Sequence, residues 1–189
     1  MQIEISNSLT DFQKKYSHHI NYNLSYVNLT YMIKNTEFDF DVFLPSIGKN
    51  LQRGLVWNID QKRALILAIL RDKTLEPISV IENRVREKEG EKNYWQVIDG
   101  KQRLTTIISF LNDEFTIVHE NKEWFYNDLP EECKKHIRFF DRLRVNVHYD
   151  DIKDKISDKT KIDLFEEINW LGTPQDIEHL YSLKNEQMG

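Results

Sequence analysis

Apolar positions change their spacing several times along this chain, and each change marks a predicted element. Residues 24–34 carry Tyr26, Leu29, Met32 and Ile33 at helical spacing after Ser25, which predicts a helix. Residues 38–44 then alternate, with Phe38, Phe40, Val42 and Leu44 set against Asp39, Asp41 and Phe43, the period of one strand ending at Pro45. Asn58-Ile59-Asp60-Gln61 has the form of a capping box, and the run from Ala64 to Leu70 after it is apolar almost all round. Such a helix belongs in the middle of a domain. Residues 77–81 read as a short buried strand, and residues 82–93 as a charged loop or hairpin.

In residues 94–98 the period is two, with Trp95 and Val97 on one face and Tyr94, Gln96 and Ile98 on the other. From Leu104 it becomes helical, through Ile107, Ile108 and Leu111. Further on, residues 112–118 predict a turn and a short strand, and residues 123–126 an aromatic core patch. A helix carrying Cys133, Ile137 and Phe140 comes next. Residues 142–149 form an alternating strand with one basic face, and residues 161–170 a helix closed by Gly172. Residues 1–23 have no clean period beyond a short helix expected at 11–19, and are read as an N-terminal arm before one domain at 24–189. Strands and helices interleave, so the fold class is α+β.

Between the strand at 94–98 and the helix from Leu104 lies Asp99-Gly100-Lys101-Gln102-Arg103. A helix start exposes free N–H groups and the positive end of the helix dipole. Lys101 and Arg103 place two cations there, where the dipole disfavours them, and a bound phosphate would repair the conflict. Taken alone, an Asp-Gly-x-x-Arg string is a common solvated turn, or a salt bridge pinning the joint. A second loop, Leu51-Gln52-Arg53-Gly54-Leu55-Val56-Trp57, also carries an arginine and also leads into a helix. Convergence of the two loops would build one ligand site.

Composition narrows the remaining classes. At 189 residues, 40% hydrophobic and 30% charged, the chain suits one soluble domain. One cysteine excludes an internal disulfide and any multi-cysteine metal site, and suits a reducing cytoplasm, the expected location. No apolar run has the length of a membrane span. The net charge of −5 is concentrated in residues 150–189, where ten acids face five lysines, leaving the rest neutral. That balance gives no general grip on DNA. The six histidines lack metal-nuclease spacing, His18-His19 included, and no Walker-type loop is present.

These motifs carry a resemblance. Gln52-Arg53 with Trp57, then Pro77-Ile78, then Val97-Ile98-Asp99-Gly100-Lys101-Gln102-Arg103-Leu104-Thr105-Thr106 resemble the N-terminal domain of GmrSD-type restriction endonucleases. That family lies in the ParB/sulfiredoxin-like superfamily. Leu164-Phe165-Glu166-Glu167-Ile168-Asn169 and Gly172-Thr173-Pro174 resemble its later helical segment. The resemblance implies a small mixed sheet surrounded by helices that binds a nucleoside triphosphate with Mg²⁺ and hydrolyses it. Gln52, Arg53, Gly100, Lys101, Arg103 and Thr105 would bind the nucleotide, Thr105 and Thr106 serving equally well as local caps. Asp99 and Gln102 would be catalytic, Asp99 also meeting the metal, and Asn169 and Thr173 form a weaker third group. The family usually has glutamine at the position of Lys101. Lysine attracts phosphate but cannot accept a hydrogen bond from an attacking water, so binding is implied more firmly than hydrolysis. Sulfiredoxin chemistry is excluded because its reactive cysteine is absent from this loop.

Two other classes remain open. One is a non-catalytic module, as a partner or decoy subunit beside a nuclease subunit, or a phage-borne antagonist of such a system. The other is a DNA nickase, which the acidic charge and the missing histidine set oppose.

Overall fold

A computed structural model of the chain describes residues 19–24, 37–87, 90–139, 143–149 and 156–171. Its centre is a five-stranded mixed sheet of order β1-β9-β5-β6-β2. The strands are β1 (His19–Leu24), β2 (Glu37–Asp39), β5 (Ile78–Glu87), β6 (Gly90–Asp99) and β9 (Leu143–His148). β5 and β6 form a long antiparallel hairpin, while β5 with β9 and β6 with β2 run parallel. Two small hairpins stand outside the sheet: β3 (Phe43–Leu44) with β4 (Lys49–Asn50), and β7 (Ile117–His119) with β8 (Lys122–Trp124). Four described helices complete the fold: α1 (Ile59–Leu70), α2 (Lys101–Leu111), α3 (Glu131–Phe139) and α4 (Asp158–Leu171).

The period-two pattern of β6 sorts its side chains onto two cores. Trp95 and Val97 join Ile78, Val80, Val145 and Val147 against Leu65, Ile66 and Ile69 of α1 and Leu104, Ile107 and Phe110 of α2. On the other face Ile81 and Ile98 pack with Ile162, Leu164 and Phe165 of α4 and with Val42, Leu44 and Leu51. The sheet is thus the middle of three layers. Each buried aliphatic side chain here contributes about 1.5–3 kcal/mol by leaving water.

The capping box of α1 is present, with the Asn58 side chain accepting from the Gln61 amide at 2.9 Å and the reciprocal bond at 3.0 Å. Several boundaries differ from the sequence expectation. The single strand expected over 38–44 is broken, because the Asp39 carboxylate accepts the amides of Asp41 and Val42 and closes a turn between β2 and β3. Of the two readings of the charged stretch 82–93, the hairpin holds, residues 82–87 lying on β5 and residues 90–93 on β6. α4 begins at Asp158, three residues early, because Ser157 Oγ accepts the Thr160 amide as a cap. The arm of residues 1–23 contributes its last five residues to β1 at the sheet edge. The helices expected over 11–19 and 24–34 fall, apart from their ends in β1, outside the described residues, as do Phe140 and Gly172 to Pro174.

Candidate functional site

The turn from β6 into α2 is fixed by Gly100. Its φ of 98° lies in the left-handed region, and a Cβ there would sit 2.9 Å from the Ile78 Cβ and closer still to its Cγ2. Only glycine combines that dihedral with that approach. α2 starts immediately afterwards, with no side-chain cap and no acidic residue in its first turn. Lys101, Gln102 and Arg103 therefore all lie on the first turn of the helix.

The three residues meet different partners. Arg103 Nη2 pairs with the Asp99 carboxylate at 2.6 Å and donates to the Pro77 carbonyl at 3.0 Å, while Nη1 donates to the Glu76 carbonyl. Both side chains are largely covered, so Arg103 clamps the joint to the start of β5. Lys101 is buried, at 7% exposure, and its ammonium lies 2.5 Å from the Asp41 carboxylate and 3.0 Å from the Arg53 carbonyl. The two carboxylates supply internally the negative charge that the cations require at a helix N-terminus.

Gln102 uses both ends of its amide on the neighbouring loop. Its Oε1 accepts the amides of Val56 and Trp57 at 3.2 and 3.3 Å, and its Nε2 donates to the Gly54 carbonyl at 3.0 Å. Gln52 binds the same loop to the end of β6, donating to the carbonyls of Val97 (3.0 Å) and Ile98. The arginine loop and the Asp99–Arg103 joint therefore do converge. Arg53 brings its backbone to Lys101, and among the described residues its guanidinium makes no hydrogen bond or ion pair. Thr105 Oγ1 donates to the Lys101 carbonyl at 2.8 Å, a bond back onto its own helix. Thr106 is buried beside the core. Asn169, on α4, is buried and donates to the Phe165 carbonyl at 2.6 Å.

The family model for the N-terminal domain of GmrSD restriction endonucleases matches residues 40–186. The chain belongs to the GmrSD N-terminal domain family. That membership makes it a domain of the restriction and defence class. Comparison with curated proteins and with solved structures returned no match. In this GmrSD N-terminal domain, no helix of the described residues is long and apolar enough to cross a membrane. Among the same residues, no group of three histidine, cysteine or acidic side chains is placed to hold a metal ion.

Asp39 and Asp41 are hidden by the spacing around them. Both fall on the polar half of a strand alternation, although aspartates at alternate positions also suit a turn in which a carboxylate caps the following amides. The turn brings Asp41 to Lys101, a meeting that nothing local in the sequence announces.

Proposed function

We propose that this GmrSD N-terminal domain binds a nucleoside triphosphate, taking its phosphates at the start of α2 between Lys101 and Arg53. The observation that carries the reading is that the loop bearing one cation, Arg53, docks its backbone carbonyl on a second, Lys101, at that helix start. One is a buried ammonium under an uncapped helix N-terminus, and the other is a guanidinium with no internal partner among the described residues. Phosphate is the anion that suits a helix start, and arginine holds it through a planar fork. Gly100 keeps the backbone close, and Gln52 and Gln102 hold the arginine loop in place.

Arg103 and Asp99 act in this reading as the frame of the site, since each already satisfies the other. Gln102, with both ends of its amide engaged, positions the loop rather than a water. Mg²⁺ would come with the nucleotide, held mainly by its phosphates and by water with one or two carboxylates from the protein, and Asp99, paired here with Arg103, is the carboxylate the motif offers. Binding is the proposed function, within a restriction-type system beside a nuclease partner, and no hydrolytic step is assigned to these side chains.

A thermal-shift panel of ATP, GTP, CTP and UTP, with and without Mg²⁺, tests the reading. At a ligand concentration one hundred times Kd, binding raises stability by about 2.7 kcal/mol. At least one nucleotide should raise the melting temperature of the wild-type domain, and Arg53→Ala should lose most of that rise. A panel with no rise, or a rise that Arg53→Ala keeps in full, overturns it.

A further inference from the structure

The Lys101–Asp41 pair is unequally exposed. The lysine side chain is 8% exposed and the aspartate 61%. The carboxylate thus approaches a buried cation from the solvent side, the direction from which a dissolved anion would arrive. A good deal of structure delivers it there. Asp39 Oδ1 accepts the amides of Asp41 at 3.1 Å and Val42 at 2.8 Å, while the carbonyls of Asp41 and Val42 accept from Gln52 and Leu51. Asp39 Oδ2 accepts from Gln96 at 2.9 Å, and Gln96 accepts in turn from buried Asn83 at 3.1 Å. Within this turn Val42 is fully buried with a φ of 53°, a left-handed conformation that a β-branched residue adopts only when its surroundings force it.

We propose that Asp41 is a built-in occupant of the anion position at Lys101, which a phosphate displaces and whose carboxylate thereby limits the affinity of the site. The inference rests on the nucleotide-binding reading and concerns how that site is regulated. The exchange is asymmetric. Asp41 is already mostly solvated and returns to water with little desolvation, whereas the Lys101 ammonium has no such exit and needs an anion in its place. A phosphate group carries more negative charge than a carboxylate, so the exchange favours it. Releasing Asp41 also removes one of the bonds that hold the Val42 turn in its strained form.

Isothermal titration of the wild-type domain and Asp41→Asn with ATP and with inorganic tripolyphosphate tests this. The substitution removes the competing charge at an exposed position, and the variant should bind both ligands tighter by roughly twofold to fivefold, the scale of one largely solvated ion pair. On the wild type, the ¹³C resonance of the Asp41 carboxyl should shift when tripolyphosphate is added, as it loses its ammonium partner. A wild type that binds, with Asp41→Asn binding equally or more weakly or with no shift at Asp41, overturns the displacement while leaving nucleotide binding intact. Absence of binding by both proteins overturns the nucleotide reading and this inference with it.

Discussion

Asp99–Arg103 and Asp41–Lys101 lie within one turn of the same helix start, at almost equal separations of 2.6 and 2.5 Å, yet they are built differently. The first pair is local, four residues apart, with both side chains mostly covered and the guanidinium also bound to two carbonyls at the start of β5. The second joins residues 60 apart and leaves its carboxylate largely in water. A covered pair whose guanidinium is also held by two carbonyls is part of the frame, because losing one partner strands the other. A pair with one solvated partner can open without stranding that partner. The contrast teaches that two cations in one motif can have different duties, and that exposure of the partner separates them better than distance.

The sharpest way to break the comparison is to remove what both pairs stand on. Gly100→Ala should unfold the joint, combining about 1–2 kcal/mol for the left-handed conformation with about 1–3 kcal/mol of overpacking against fully buried Ile78. Denaturant unfolding reads the loss directly. Arg103→Ala should come next, destabilising by about 3–5 kcal/mol because a mostly covered Asp99 loses its partner. Its melting point should still rise on adding the nucleotide that the wild type binds, since the frame and not the ligand contact has been removed. If the rise disappears in a variant that remains folded, Arg103 touches ligand and the division between the pairs is wrong. Arg53→Ala should behave in the opposite way, with stability within about 0.5 kcal/mol of wild type and the nucleotide response lost.

Much of this frame was legible in the sequence. The faces of β6, the capping box of α1 and the helical run from Leu104 all follow from spacing alone, because burial on a strand or helix repeats with the backbone. The convergence of the two arginine-bearing loops was also anticipated. The partners within the joint were not. Whether Arg103 faces Asp99 or a ligand depends on the carbonyls of Glu76 and Pro77, more than twenty residues upstream, and no local pattern encodes that approach. Gln102 reads as a candidate catalytic amide in a motif, and as a clamp only once Gly54, Val56 and Trp57 are beside it. The break between β2 and β3 escaped because Val42 keeps the apolar phase of a strand through a turn where its φ is reversed.

A smaller effect lies at the far side of the second core, where Asp158 ties α4 to the β3–β4 turn by accepting the Ser46 amide at 3.0 Å. Burial pushes the Asp158 carboxyl up, but hydrogen bonds from Ser46 and the nearby Lys161 outweigh it and leave the group below its ordinary value. A carboxyl lowered on folding adds stability above its unfolded pKa of about 4 and loses it as pH falls through the lower folded value. Asp158→Asn should therefore flatten the acid limb of the stability curve below about pH 4, by no more than about 1 kcal/mol, and leave pH 7 nucleotide binding unchanged.

The central claim, that Lys101 belongs to the ligand while Arg103 belongs to the fold, is tested most directly by Lys101→Met. Methionine keeps the buried volume and drops the charge, and the Asp41 carboxylate left behind is already largely solvated, so it is not stranded in the interior. Titration of this variant with the nucleotide that stabilises the wild type should give a folded domain whose affinity falls at least tenfold, with Arg103→Ala retaining wild-type affinity in parallel. Equal affinity in Lys101→Met and wild type, or a loss confined to Arg103→Ala, would contradict the account.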